Sequence, residues 1–307
     1  MMCSFYVAEA GGFEPPIPFP VYCISSAAHS TALARFLCLI RYGKMVPMAR
    51  IIAVCNAKGG VGKTTTTVNL ASYLALYGRR VLMVDFDPQA NASSSFGSAH
   101  RTDGGANIYE AMAGRKDIHE IVRNTAIPGC HFISAHPALA GSTIELLEKP
   151  EREKFLKKLI RQVAHHYDYV LIDLPPSVSL LTINGLMAAD EMIIPVQCEY
   201  YGLEGLSQIL ETGDLVNHNL GHNLRIAGAL LTMYDSREHL SREVSKWLRK
   251  HFVGHVYDVE IPRAVALAEA PSFGKPICFH DPHSPGARAY ERLAKEIIQQ
   301  EKAIHTA

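Results

Sequence analysis

The chain has no excess of charge of either sign, because 30 lysines and arginines balance 30 aspartates and glutamates over its 307 residues. A global polycation that would hold nucleic acid by charge alone is therefore excluded, and any contact with DNA must come from a local patch. The seven cysteines form an odd, dispersed set without a C-x-x-C pair, which argues against a disulfide framework or a cysteine metal site. This cysteine usage favours a reducing cytoplasm.

The first 47 residues lack the features of a membrane or secretory segment. Their apolar run, Phe36 to Ile40, is far shorter than the roughly 20 residues of a spanning helix, and no secretory signal order appears. The segment is proline-rich between Glu14 and Pro20, whereas M-A-R-I-I-A-V from Met48 leads directly into an apolar stretch. We expect residues 1–47 to be a disordered or wrongly included extension, and residues 48–307 to form the functional domain.

The run A-K-G-G-V-G-K-T-T, from Ala57 to Thr65, is the most informative segment of the chain. A polyphosphate site needs inward backbone N–H groups, a helix N-terminus and a cation. Glycines permit that curvature, Lys63 is placed to reach the β- and γ-phosphates, and the Thr64 hydroxyl is placed to ligate Mg²⁺. The residues predicted to bind the nucleotide in this loop are Lys58, Gly59, Gly60, Val61, Gly62, Lys63, Thr64 and Thr65.

Apolar runs and helical spacings alternate along the rest of the chain, which predicts an α/β fold with a mostly parallel sheet covered by helices on both faces. The predicted strands are Ile51 to Cys55, Val81 to Asp85, Cys130 to Ser134, Tyr169 to Asp173, Glu191 to Val196 and Arg225 to Thr232. The predicted helices are Thr64 to Tyr77, Ile108 to Ala113, Glu151 to His166, Ile183 to Ala188, Leu203 to His218, Arg237 to His251 and Pro285 to Gln300. Ligands of such sheets bind beyond the carboxyl ends of the strands, where Lys63, Asp85, Asp87 and Asp173 are expected.

Ordered motifs over most of the chain from Ala49 onward resemble the ParA/Soj family of chromosome and plasmid partitioning ATPases. They are the loop, V-D-F-D-P-Q-A-N-A-S from Val84, L-I-D-L-P-P-S from Leu171, I-P-V-Q-C-E-Y-Y-G-L-E-G from Ile194, and A-E-A-P-S-F-G-K-P-I from Ala268. In that family an additional lysine at the start of the loop, here Lys58, defines a deviant version of the phosphate loop. The resemblance implies a P-loop NTPase fold, ATP and Mg²⁺ as ligands, and weak ATP hydrolysis that a partner stimulates.

The resemblance also implies roles for individual residues. Lys58 is expected to cross a two-fold interface to the partner subunit's phosphates, and Asp87 to position or activate the attacking water. The residues expected to be catalytic are thus Lys58, Lys63 and Asp87. Asp173 is interpreted as holding Mg²⁺ through a water opposite Thr64, with Asp85 as a partner of both in the outer shell of the metal. For Asp85 and Asp87 a simple turn role stays open, since Asp-Pro commonly begins turns.

The base and DNA contacts are where this sequence departs from the family pattern. Pro262 matches the segment that packs against adenine in relatives, but Ala264 and Ala266 stand where a polar base contact and a DNA-facing arginine are common. A non-specific DNA surface could instead use basic residues of the predicted helix Arg237 to His251, extended by Arg263, although an ordinary solvated face is the open alternative. The candidates are Arg237, Arg242, Lys246, Arg249, Lys250 and Arg263.

Three functions fit a deviant phosphate loop, and the leading hypothesis is a DNA-partitioning ATPase. It would pair as a homodimer in the ATP state, bind DNA non-specifically, respond to a ParB-type centromere-binding protein, and be cytoplasmic and nucleoid-associated. A MinD-like membrane-positioning ATPase is the alternative, disfavoured because Tyr290 to Lys302 mixes glutamates with its lysines and lacks a bulky apolar face. A nitrogenase-like iron protein lacks support, because the segment after Asp173 has no cysteine for a cluster.

Overall fold

The computed structural model describes residues 49–96, 106–199 and 202–306, with side chains described up to residue 301. The expected N-terminal extension and the expected start at Met48 lie outside these residues, so the prediction about them stays a prediction. The described residues belong to one compact unit that spans residues 48–307.

The described strands form one seven-stranded sheet in the order β3-β4-β2-β5-β1-β6-β7. The strands are β1 Arg50–Val54, β2 Val81–Asp85, β3 Arg123–Asn124, β4 Cys130–Ile133, β5 Tyr169–Asp173, β6 Glu191–Gln197 and β7 Arg225–Thr232. All neighbouring pairs are parallel except β3 with β4 at one edge. The predicted fold class is thereby confirmed.

Helices follow the strands as the alternating pattern predicts. The α-helices of the described residues are α1 Lys63–Leu76, α2 Asn91–Ser95, α3 Ile108–Met112, α4 Ile118–Ile121, α5 Leu139–Leu146, α6 Phe155–Val163, α7 Leu180–Ala188, α8 Gly202–Leu220, α9 His239–His251, α10 Val265–Glu269, α11 Ile277–His280 and α12 Pro285–Thr306. Short 3₁₀ turns lie at Arg152–Lys154, Ala164–His166 and Ala270–Phe273.

The six predicted strands match observed strands to within one residue at each end, but several predicted helices need correction. The helix predicted from Ile183 already begins at Leu180, and the helix predicted to end at Gln300 continues to Thr306. The prediction of a single helix from Glu151 to His166 is wrong. Glu151 adopts a left-handed φ of 53°, and 3₁₀ turns flank a shorter helix, α6. The helix predicted from Arg237 begins only at His239, because the Asp235 carboxylate accepts the Arg237 backbone N–H and holds that residue in a turn.

The sheet is buried on both faces, which explains why its strands read as nearly continuous apolar runs. Successive side chains of β1 point to opposite faces, so Ile51 and Ala53 join one apolar core and Ile52 joins the other. The first core packs against α6, α7 and α8, and the second packs against α1 and α12. Among the described residues, none of the helices has the length and apolarity to cross a membrane.

The strand order places the ends of β1, β2 and β5 side by side. In the parallel ladders Val54 pairs with Asp173, and Asp85 also pairs with Asp173. The loop that follows β1 therefore lies beside the two carboxylates that end β5 and β2, although they are far apart in sequence. This edge of the sheet is the candidate site.

Candidate nucleotide-binding site

The phosphate loop is shaped by two glycines in the left-handed region of backbone space. Gly60 has φ 76° and Gly62 has φ 89°, conformations in which a side chain would be strained. Gly62 is the residue before α1, and its carbonyl accepts the Thr66 N–H at 2.9 Å to begin the helix. The loop thus delivers the chain directly into a helix N-terminus, which is where an anion binds well.

Lys63 is the cation at the base of the loop. Its side chain lies in the interior with the residue only 6% exposed, and its Nζ donates to the Lys58 carbonyl at 2.8 Å. Burial lowers the pKa of Lys63, and the nearby carboxylates of Asp173 and Asp87 oppose that decrease. A buried ammonium among these groups has the charge and position to meet an anion that enters the loop.

Asp173 receives two hydroxyl groups from α1. Thr64 Oγ1 donates to it at 2.8 Å and Thr67 Oγ1 at 3.1 Å. Burial raises the pKa of Asp173 well above its usual range, and the charge of Asp85 adds to the effect. A hydroxyl and a carboxylate are the hard oxygen donors that Mg²⁺ prefers, so Thr64 and Asp173 suit that ion.

Asp85 and Asp87 both hold the backbone that follows β2. Asp85 Oδ2 accepts the Ser93 N–H and hydroxyl, each at 2.7 Å, and its other oxygen accepts the Asp87 N–H at 3.2 Å. The Thr64 hydroxyl is bonded to Asp173 and not to Asp85, and the outer-shell role of Asp85 stays a prediction. Asp87 Oδ1 accepts the Gln89 N–H at 2.9 Å, as the turn alternative requires, and the residue lies in the interior beside Lys63.

A mostly apolar pocket of about 250 Å³ opens beside the loop. It is lined by Gly62, Thr65, Thr232, Met233, Ile261, Pro262, Arg263, Ala264, Leu267, Ala268 and Tyr290. Pro262 lies in this lining, where the sequence predicts a base contact, and so does Ala264, while Ala266 does not. Thr232 Oγ1 donates to the Val61 carbonyl at 2.8 Å, which ties the pocket wall to the phosphate loop.

Lys58 is half-exposed at the start of the loop, and within the described residues it forms no ion pair. Its backbone carries two contacts: the N–H donates to Asn56 Oδ1 at 2.9 Å, and the carbonyl accepts from Lys63. The backbone of Lys58 is thus held in place on both sides of its Cα.

The basic residues predicted to contact DNA lie near α9, but most of their charge is paired within the chain. Ion pairs join Arg237 to Asp235 at 2.6 Å, Lys246 to Glu243 at 3.3 Å, Arg249 to Glu260 at 3.4 Å and Arg263 to Glu199 at 2.8 Å. The Arg242 guanidinium donates to the carbonyls of Ser236 and Arg237, and exposed Lys250 makes no ion pair with a described residue. Arg242 and Lys250 are thus the two of these six residues that form no ion pair with a described residue.

Several site residues escaped the sequence reasoning because their partners are distant along the chain. Thr66 shares a 3.2 Å hydrogen bond with buried Tyr290 of α12, and Asn56 donates to the Pro195 carbonyl at 2.7 Å. Thr67 could have been found, because it lies one helical turn after Lys63 and therefore faces the same edge of the sheet. No local signal points to Tyr290.

Comparison with known proteins agrees with this geometry. A family described as an AAA domain matches residues 49–226. The chain is 45% identical over 254 residues to the chromosome-partitioning ATPase Soj of Treponema pallidum, covering 83% of this chain and 99% of the relative. It is also 45% identical over 254 residues to the chromosome partitioning protein ParA of Myxococcus xanthus, covering 83% and 89%.

Among solved structures, cobyrinic acid a,c-diamide synthase from Mycobacterium smegmatis, with bound ADP and magnesium, superimposes with a TM-score of 0.72. It is 33% identical in sequence, and the similarity covers 83% of this chain and 96% of that chain.

Proposed function

Because the chain belongs to the Soj/ParA family of chromosome-partitioning ATPases, we propose that it uses ATP as a switch that controls its own pairing and its hold on DNA. It is an ATPase whose nucleotide is ATP and whose metal is Mg²⁺. The observation that carries the proposal is the meeting of Lys63, Thr64 and Asp173 at the carboxyl ends of parallel strands, next to an apolar pocket.

The nucleotide is positioned by the loop and the pocket together. Backbone N–H groups around Gly60 and Gly62 and the N-terminus of α1 bind the phosphates, and Lys63 neutralises their charge. Pro262 and the neighbouring apolar wall enclose the base. Thr64 and Asp173 would hold Mg²⁺, which when bound would withdraw electron density from the phosphate oxygens.

Hydrolysis requires a water aligned with the terminal phosphate. Asp87 is the residue proposed to orient that water, since it lies in the interior beside Lys63 and one carboxylate oxygen accepts no hydrogen bond from a described residue. Asp85 acts through the backbone instead. Its bonds to Ser93 and Asp87 fix the segment on which Asp87 stands.

Lys58 is proposed to act on a second copy of the chain. The loop has its own cation in Lys63, and half-buried Lys58 forms no ion pair with a described residue, so Lys58 is available to neutralise the triphosphate of a partner. A charge supplied in trans stabilises both the paired state and the charge that develops during hydrolysis. ATP thereby becomes part of the dimer interface.

The Lys58→Ala variant tests this step. We expect nearly unchanged ATP binding by fluorescent-nucleotide titration but no ATP-dependent dimer in sedimentation velocity. Lys116→Ala, which removes an exposed lysine on the α3–α4 connection, is the matched control and is expected to dimerise normally. Normal ATP-dependent dimers of Lys58→Ala would refute the trans role.

The DNA step of the proposal concerns the paired, ATP-bound state. Co-sedimentation with DNA is expected with ATP but not with ADP or without nucleotide, and a ParB-type protein is expected to accelerate hydrolysis and release. Lipid binding in place of DNA binding would instead support the MinD-like alternative.

The surface used for DNA is tested by reversing charge near α9. Lys250→Glu, or Arg242→Glu with Lys246→Glu, is expected to weaken DNA binding and flatten its salt dependence, since each phosphate contact contributes to the salt slope. Lys116→Glu, on the α3–α4 connection, is the same charge change as Lys250→Glu. Equal binding by the α9 variants and by this control would eliminate the surface.

A further inference from the structure

Asn56 lies at the point where β1 turns into the phosphate loop. It is buried, with 1% of its surface exposed, and both ends of its side-chain amide are used. Nδ2 donates to the Pro195 carbonyl of β6 at 2.7 Å, and Oδ1 accepts the Lys58 N–H at 2.9 Å. One side chain therefore fastens the peptide of Lys58 to the neighbouring strand.

Gly205, in the first turns of α8, approaches the same place from the other side. A Cβ on Gly205 would lie 2.4 Å from Asn56 Oδ1 and 2.9 Å from Lys58 Cβ, distances that van der Waals radii forbid. The Asn56 oxygen is held by its hydrogen bond and the Lys58 atom is close to the backbone, so neither can move away cheaply. The absence of a side chain at position 205 lets α8 close over the start of the loop.

We propose that Asn56 and Gly205 are positioning residues that aim the Lys58 side chain out of its own subunit and toward a partner's triphosphate. The inference rests on the trans role of Lys58 proposed above. A lysine side chain has four rotatable bonds, so it can place its ammonium group at a defined point only if the backbone that carries it is fixed. Asn56 fixes the N–H of Lys58, and the packing of Gly205 against Lys58 Cβ leaves that atom no room to shift toward α8.

Two controls separate this role from general support of the fold. Asn184 is also a fully buried asparagine, and its amide bonds to Arg152, Leu180 and Leu156 rather than to the loop. Gly213 is in the same helix as Gly205. A Cβ at Gly213 would approach the terminal methyl group of the flexible Met192 side chain at 3.1 Å, and all other atoms would lie beyond 3.4 Å. Asn184→Ala and Gly213→Ala therefore match the chemical changes without touching Lys58.

The test is complementation between subunits, measured as phosphate release from ATP. Asn56→Ala and Gly205→Ala, each alone, are expected to lose at least about tenfold in ATP-dependent dimer affinity, equivalent to about 1.4 kcal/mol. Each is mixed with Asp87→Ala, whose own site is inactive but whose Lys58 is intact. The mixture is expected to hydrolyse ATP several times faster than either variant alone, because the intact Lys58 acts on the Asn56→Ala or Gly205→Ala site. Asn184→Ala and Gly213→Ala should keep wild-type dimer affinity.

The outcomes assign failure to one proposal or the other. If Lys58→Ala mixed with Asp87→Ala regains activity but Asn56→Ala and Gly205→Ala do not, the positioning role is refuted while the trans role stands. If Lys58→Ala regains nothing in the mixture, the proposed trans role fails. Should Asn56→Ala not fold, as judged by its Tm beside that of Asn184→Ala, Gly205→Ala decides the result, because it leaves the asparagine intact.

Discussion

Replacing Asp85 by asparagine tests whether the buried carboxylate at the end of β2 opposes folding at neutral pH. Asp85 is fully buried, and burial raises its pKa from 3.8 to about 6 although hydrogen bonds from Ser93 and Asp87 act in the opposite direction. The folded protein therefore holds this proton more tightly than the unfolded chain does. Its carboxyl group opposes folding increasingly as pH rises from 3.8 through 6.

The size of the effect follows from that change in pKa. Linkage gives a cost of about 2 kcal/mol at pH 5 and about 3 kcal/mol at pH 7.5 for the wild-type carboxyl group. Asparagine carries no charge at either pH, but its amide leaves one of the backbone or hydroxyl donors without an acceptor, which costs about 1–3 kcal/mol at every pH. The free energy of unfolding of Asp85→Asn relative to wild type should therefore rise by at least about 1 kcal/mol between these two pH values. Loss of the Asp85 charge acts in the same direction at Asp173, whose pKa that charge raises.

Urea unfolding at pH 5 and pH 7.5, without nucleotide or Mg²⁺, measures this difference. Asp235→Asn is the control, because hydrogen bonds from Arg237 lower the pKa of Asp235 to about 2 and keep it charged at both pH values. Its difference from wild type should not change with pH. If the Asp85→Asn difference is equally constant, the burial argument is refuted.

Two further changes test the site and the fold separately. Thr64→Ala removes the hydroxyl bonded to Asp173 at 2.8 Å. The affinity for ATP should fall at least about tenfold with Mg²⁺ present and stay within twofold when a chelator removes the metal. An equal loss of affinity in both conditions would contradict the metal role. Glu191→Ala leaves the largely buried Arg50 without the carboxylate that binds it at 2.6 Å, and should lower the free energy of unfolding by about 3–5 kcal/mol with ATPase activity per folded molecule retained. Unchanged stability in chemical denaturation would show that this pair contributes little.

Much of the candidate site could be predicted because its parts are encoded locally. The phosphate loop is a run of nine residues, and its glycines, lysine and threonine specify a turn between a strand and a helix whatever surrounds them. The strands were predicted well for a similar reason, since burial on both faces demands uninterrupted apolar runs. Helix ends were predicted less well where a turn bond such as that of Asp235 competes with the helix.

What the sequence by itself determined was therefore the type of fold, the loop and the acidic residues at the strand ends, because backbone preference and apolar periodicity act over a few neighbours. The tertiary structure alone decided which groups meet. It assigned Asp85 to Ser93 rather than Thr64, placed Tyr290 against Thr66, paired most of the basic residues near α9 with acids, and brought Asn56 and Gly205 together at Lys58. The contacts of Tyr290 with Thr66 and of Gly205 with Asn56 and Lys58 join residues far apart in sequence. Strand order and helix packing set these contacts, which no short stretch of sequence encodes.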